Sequence, residues 1–510
     1  MTAEVAILLH AHVPGLQLWR ARHPQGPRVL RALVAAMRDV YLPLLRLLSD
    51  WGEAHPHGPP LLTLALSPSL VEAWDCAELR DAFEAQTQAD LEALREELSQ
   101  RHDGPQHELA ASTLRRVEAL RDDLHAYQHD LASAFAAHAR AGRVALIPSA
   151  PTEAPLPLMA TELVRQAHIR SARAWFDRRF EGAAADGFWL PGLAYDPSVA
   201  RSLRAQGVAW TVADALAWRS EGASPAALWT PAQPVEGLAV FPNHPESERL
   251  PYPLDPEEPA WRDPSGAEPL GAWPRPAWMA QPASGAMSAS RQHLYQPARA
   301  VAQAKKQARA ATLRWKDLAR EASHERPLLT VAWSLEHFGG GWFEGPVFLR
   351  ALLHEVEQDP HLALTTPTRW LAQGGTPTAR ALGPSSAGPD GYFGAWLDDS
   401  HAWQRGQTRR LERQLVALWG DPHQAPDPSG ALDPRRQGRR AAEVLRLLML
   451  AQSGDPALLH ASGLEGGLDL ARQRLERAQA LLAAADEPQA DPTALLLRDL
   501  PTEQWFPTSL

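Results

Sequence analysis

The chain has one cysteine, Cys76, in 510 residues. That excludes an internal disulfide framework and fits a reducing compartment. No apolar run approaches the roughly 18 residues needed to cross a bilayer. The opening stretch MTAEVAILLHAH lacks a basic head, and its apolar run is cut by His10. The expectation is a cytoplasmic protein with no membrane partner. Positive charge is also scarce: lysine occurs only at Lys305, Lys306 and Lys316, and the net charge is −10. Nothing in this balance favours nucleic acid or anionic lipid, so neutral or small-molecule partners are expected. Tyrosine is sparse, with 6 against 19 tryptophans. Indole faces fill cores and also stack on sugar rings.

The length suffices for one large domain plus one or two smaller ones. Short β-rich apolar runs alternate with helical stretches: Val5–Leu9, Leu61–Leu66, Val144–Ile147, Phe188–Leu190, Val208–Val212, Leu238–Phe241, Leu328–Trp333 and Leu362–Thr365. This is the rhythm of a parallel α/β protein, and the uneven spacing predicts a barrel distorted by insertions. The insertion at about 73–140 reads as two or three surface helices, with apolar residues at helical intervals in LEALREEL and LRRVEALRDDLHAY. A Pro/Gly-rich region at about 220–297 is expected to form loops over the barrel mouth. Residues 1–380 are read as the barrel. Residues 381–510 are read as a C-terminal α-helical domain, from helical periodicity in RRLERQLVALW, RRAAEVLRLLMLAQ and LDLARQRLERAQALLAAA.

The first strand ends in His10-Ala11-His12, so both imidazoles point the same way at a strand's C-terminal end. They read as hydrogen-bond donors lining a polar pocket, as two metal ligands, or as structural histidines. Glu153, Glu336 and Glu344 are the carboxylates nearest other strand ends; Glu344, before Gly345-Pro346, reads as a helix start favoured by the helix dipole. The stretch DGFWLPGLAYDP is unusual. Its apolar run Phe188–Leu190 stops at Pro191-Gly192, where a working side chain is expected and glycine stands.

Five ordered stretches carry a resemblance: LLHAHVP, FWLPGLAY, WSLEHFGGGWFEGP, LTTPTRWL and LRLLMLAQSGD. Together they resemble glycoside hydrolase family 57, most closely its α-1,4-glucan branching enzymes. The resemblance implies a distorted (β/α)7 barrel with a helical insertion, followed by a C-terminal α-helical domain. It also implies retaining chemistry by a nucleophilic carboxylate and a carboxyl acid/base. The family's nucleophile position falls on Gly192 and its acid/base position on Ser334. Further departures are Glu153, Ala145, Gly340-Gly341 and Pro456, and no tyrosine lies between Tyr195 and Tyr252. Family positions kept are His10, His12, Trp189, Tyr195, Glu336, Phe338 and Trp342, expected to bind substrate. No cofactor and no metal are assigned.

Glycine offers no nucleophile and a serine hydroxyl is too weak an acid. The leading expectation is therefore a catalytically inactive homologue that retains the fold and an α-glucan- or oligosaccharide-binding cleft, in association with active glycogen-metabolising enzymes. The alternative is an active α-glucan branching enzyme, glucanotransferase or hydrolase with relocated carboxylates, drawn from Glu153, Asp196 and Glu336. A third reading is metal-dependent hydrolysis through His10 and His12.

Overall fold

The computed structural model describes residues 2–249, 297–419 and 434–483, apart from 57, 101, 323–325, 340–341, 389–390 and 464, together with three short strands within 260–294. Most of the Pro/Gly-rich region expected over the barrel mouth, and Gly340-Gly341, lie outside the described residues.

Every strand run expected from the sequence forms a strand or lies against one. We number them β1 (Ala3–Ala11), β2 (Leu62–Leu66), β3 (Val144–Pro148), β4 (Gly187–Phe188), β5 (Trp210–Asp214), β6 (Leu238–Asn243), β7 (Leu328–Ser334) and β8 (Leu362–Thr365). β7, β1, β2 and β3 form one parallel sheet, and β4, β5 and β6 run parallel in another. Sparse links join the two: Ala185 and Trp189 donate backbone N–H to Leu146 and Pro148. On the far side His244 N–H reaches the Thr330 carbonyl at 2.9 Å, and the Asn243 side chain accepts from Ala332 N–H at 2.9 Å. The result is a closed but irregular ring from β1 to β7, the distorted (β/α)7 barrel. β8 pairs with the N-terminal half of β1, beside the stretch that pairs with β2. Strands flanked on both faces are mostly apolar, and β2 and β6 are buried at every position, with Thr63 and Asn243 as their polar residues.

The insertion is three helices: α1 (Ala77–Gln100), α2 (Gly104–Ala126) and α3 (Leu131–Arg140). Further on come α4 (Glu162–Arg179), α5 (Pro297–Glu321) and α6 (Gly345–Gln358); Glu344 immediately precedes α6, as the helix-start reading requires. The C-terminal region is helical: α7 (Gly394–Leu397), α8 (Ala402–Trp419), α9 (Pro434–Ala451), α10 (Asp455–Ala461) and α11 (Gly467–Ala483). Its apolar stripe does not form a separate core. Leu411, Val444, Leu447 and Leu475 belong to the same cluster as Leu9, Val13 and Leu16, so the helices close over the end of β1. No described helix is long and apolar enough to cross a membrane.

Candidate functional site

The C-terminal ends of β1, β3 and β7 bring a buried polar network together. β1 and β7 are in register with His10 opposite Ser334. His12 lies deeper: its Nε2 meets Asp455 Oδ1 at 2.9 Å and its Nδ1 meets Ser67 Oγ at 2.9 Å. Asp455 opens α10 and its other oxygen accepts from Gly15 N–H at 2.8 Å, so this one carboxylate ties the barrel strand to the C-terminal helices. Burial weighs against charge on His12. The Asp455 carboxylate, with Glu153 and Glu336 further off, more than offsets it and raises the pKa to about 9. The ring is therefore an imidazolium at neutral pH, with both N–H groups donating.

Glu336 receives three donors. Tyr41 O–H (2.7 Å) and His12 backbone N–H (3.0 Å) reach Oε1, and Ser334 O–H (2.9 Å) reaches Oε2. Burial, only partly offset by Tyr41 and His10, raises its pKa. Tyr41 arrives there through a π turn, Met37–Tyr41. The cause is local: Pro43 has no N–H to give the Asp39 carbonyl, so α-type pairing fails at that point.

Glu153 holds a left-handed backbone (φ 54°), unusual for a residue with a Cβ. The turn aims its carboxylate inward, where it accepts from Ser149 O–H at 2.5 Å and lies 3.2 Å from His10 Nε2. Burial pushes its pKa up, but the facing His10, with His12 and the Ser149 hydroxyl, outweighs this and lowers it. The other face of His10 is covered by Trp189, whose ring stacks at 4.9 Å and 7°.

At DGFWLPGLAYDP the structure holds an apolar plug. Gly192 is left-handed (φ 59°), and a Cβ built on it would lie 2.3 Å from Cη2 of Trp396. That indole comes from α7 and its N–H donates to the Gly454 carbonyl at 3.2 Å. Gly454 in turn leaves no room for a side chain, since a Cβ there would meet the Glu153 carbonyl at 2.5 Å. Trp396 thus wedges between the Pro191–Leu193 turn and the start of α10, packed with Ala194, Phe393 and Ala457.

Of the residues picked from the sequence, His10, His12, Trp189, Glu153, Ser334 and Glu336 gather at this mouth. Four do not join it. Tyr195 is fully buried in the cluster around β4 to β6 and its backbone pairs with Ser385. Phe338 and Trp342 pack with Phe348 in the main core. Asp196 caps the helix Pro197–Ala205, accepting from Ser198 N–H at 2.7 Å, which occupies it locally. His10 and His12 face a carboxylate each and belong to no three-ligand cluster among the described residues. Sequence reasoning missed Asp455, Tyr41 and Trp396 as site residues. Asp455 had a signal, being the last residue of the quoted LRLLMLAQSGD; Tyr41 and Trp396 had none.

A parallel barrel with buried carboxyl groups and histidines at its C-terminal strand ends carries them where such barrels place their functional sites. The sequence profile described as Glycosyl hydrolase family 57 matches residues 6–377, and the chain belongs to that family. Over 200 residues it is 26% identical to the 1,4-alpha-glucan branching enzyme of Thermococcus kodakarensis, a stretch covering 39% of this chain and 28% of that enzyme. The chain thus aligns with little more than a quarter of that relative's length. Among solved structures, the GH57 branching enzyme of Thermococcus kodakaraensis, in complex with glucose and additives, superposes with TM-score 0.81 at 19% identity, covering 100% of this chain and 97% of that one. The GH57-type branching enzyme of Pyrococcus horikoshii gives 0.79 at 19%, covering 100% and 98%. The alpha-amylase AmyC of Thermotoga maritima gives 0.78 at 21%, covering 95% and 93%. These likenesses show the shared fold.

Proposed function

We propose that this family 57 protein is a catalytically silent homologue of the α-1,4-glucan branching enzymes, which holds an α-glucan at the barrel mouth and works beside active glycogen-metabolising enzymes. One observation carries the reading: the position that the resemblance assigns to the nucleophile has neither a side chain nor space for one, because Trp396 occupies it. Ser334, at the position assigned to the acid/base, donates to Glu336 and has no acidity of use near neutral pH. Loss of both groups removes many kcal/mol of transition-state stabilisation. Amylose incubated with the pure protein, then debranched and chain-profiled, is expected to show no new α-1,6 linkages, and branching above background overturns the reading. The same contact sets the terms for restoring the two carboxylates. Gly192→Glu with Ser334→Asp must be combined with Trp396→Gly, since the indole otherwise blocks the new carboxylate.

One observation favours the second reading, an active enzyme with relocated groups. Glu153 and Glu336 share one mouth and their pKa values are driven in opposite directions, Glu153 down and Glu336 up, as suits a nucleophile and an acid. On this reading Glu153→Gln and Glu336→Gln each abolish a measurable glucan-cleaving or transferring activity, and retention of that activity in both variants eliminates it.

A further inference from the structure

The helical insertion carries a cluster of metal-binding side chains that the barrel mouth does not use. Glu84 lies two turns into α1, and His125 lies one residue before the end of α2. His129 follows in the turn toward α3, where Gln128 and His129 both take left-handed backbone (φ 51° and 60°) and fold the chain back on itself. The two imidazoles end with ring centroids 5.1 Å apart. His125 Nε2 lies 2.9 Å from Glu84 Oε1, and His129 Nδ1 lies 3.7 Å from the same oxygen. The second distance is too long for a hydrogen bond. His129 Nδ1 is nevertheless buried, with no hydrogen-bond partner among the described residues.

We propose that Glu84, His125 and His129 form a binding site for one divalent transition-metal ion, Zn²⁺ being the ion that suits it best. The three donor atoms lie within 4.8 Å of one another. Tetrahedral Zn²⁺, with bonds of about 2.0–2.2 Å, sets its ligands roughly 3.3–3.5 Å apart. The shared carboxylate oxygen is slightly too close to one nitrogen and slightly too far from the other, and small rotations of these partly exposed side chains equalise the two. Two imidazoles and one carboxylate select zinc, nickel or copper over Mg²⁺ and Ca²⁺, which favour oxygen throughout. Three protein ligands leave a fourth position to water. The bound ion bridges the end of α2 and the second turn of α1, beside Phe83 and Leu124 of the main core. Binding to the folded form alone then stabilises this insertion by mass action.

The test is calorimetric titration of the full, tag-free chain with ZnCl₂, with MgCl₂ as the comparison ion. One Zn²⁺ per chain is expected, with affinity falling by more than about tenfold in each of Glu84→Gln, His125→Ala and His129→Ala. A second measurement needs no variant: Zn²⁺ should slow diethyl pyrocarbonate modification of His125 and His129, read peptide by peptide by mass spectrometry. Zn²⁺ binding unchanged in the His125→Ala/His129→Ala double variant, equal binding of Mg²⁺, or modification of both histidines indifferent to Zn²⁺ each overturns the proposal.

Discussion

Two sides of the same barrel mouth contrast in how they are filled. On the β1 and β7 side, His12, Asp455, Glu336, Tyr41 and Ser334 hold one another through charge-assisted hydrogen bonds in a largely buried setting. On the side after β4, Gly192 faces an indole, the side-chain packing is apolar, and the indole N–H donates to a backbone carbonyl. The first arrangement keeps groups capable of orienting hydroxyl-rich ligands. The second closes the place where a reacting carboxylate is expected on the resemblance. Both are anchored by the same short segment, since Gly454 receives the indole N–H and Asp455 receives the imidazolium. Removal of one side chain there therefore acts on the two sides unequally.

The largest effect is expected at Asp455. Asp455→Ala leaves the His12 imidazolium and the Gly15 N–H buried without their carboxylate and should cost about 3–5 kcal/mol in urea unfolding; a loss under about 1 kcal/mol would show that the polar side is not held by this pair. The pH dependence of the wild type comes next. His12 has a folded pKa raised to about 9 from 6.5, so its contribution is fully present below pH 6.5 and is lost as pH rises through 9. That loss is on the order of 3 kcal/mol between pH 6 and 10 and should flatten in Asp455→Ala; an equally steep profile in the variant assigns the titration elsewhere. The smallest effect belongs to the apolar side. Gly192→Ala, strained by its left-handed backbone and by the indole, should cost about 1–3 kcal/mol. In a Trp396→Ala background the steric share disappears and only the backbone share remains. Strict additivity of the two changes would mean that the indole does not press on Gly192.

How far the sequence reached depends on the range of the contact. Parallel strands buried on both faces are mostly apolar runs, so β1 to β8 are legible one by one, and the periodicity of the insertion predicts its helices without reference to their packing. The alternation of backbone direction placed His10 and His12 together at a strand end. What the chain left open was which partners they meet. His12 and Asp455 are 443 residues apart, and Tyr41 and Glu336 are 295 apart. Tyr195, Phe338 and Trp342 sit in motifs with the same outward pattern as site residues, yet the fold turns them into its cores.

The amino-acid order by itself therefore determined the barrel strands, the helical insertion and the glycine at residue 192, because periodicity and residue type are local properties. Only the tertiary structure decided that Asp455 charges His12, that Glu153 and Glu336 part in acidity, and that Trp396 fills the space over Gly192. Those outcomes depend on burial and on the distance between charges, and both exist only once distant segments have packed together.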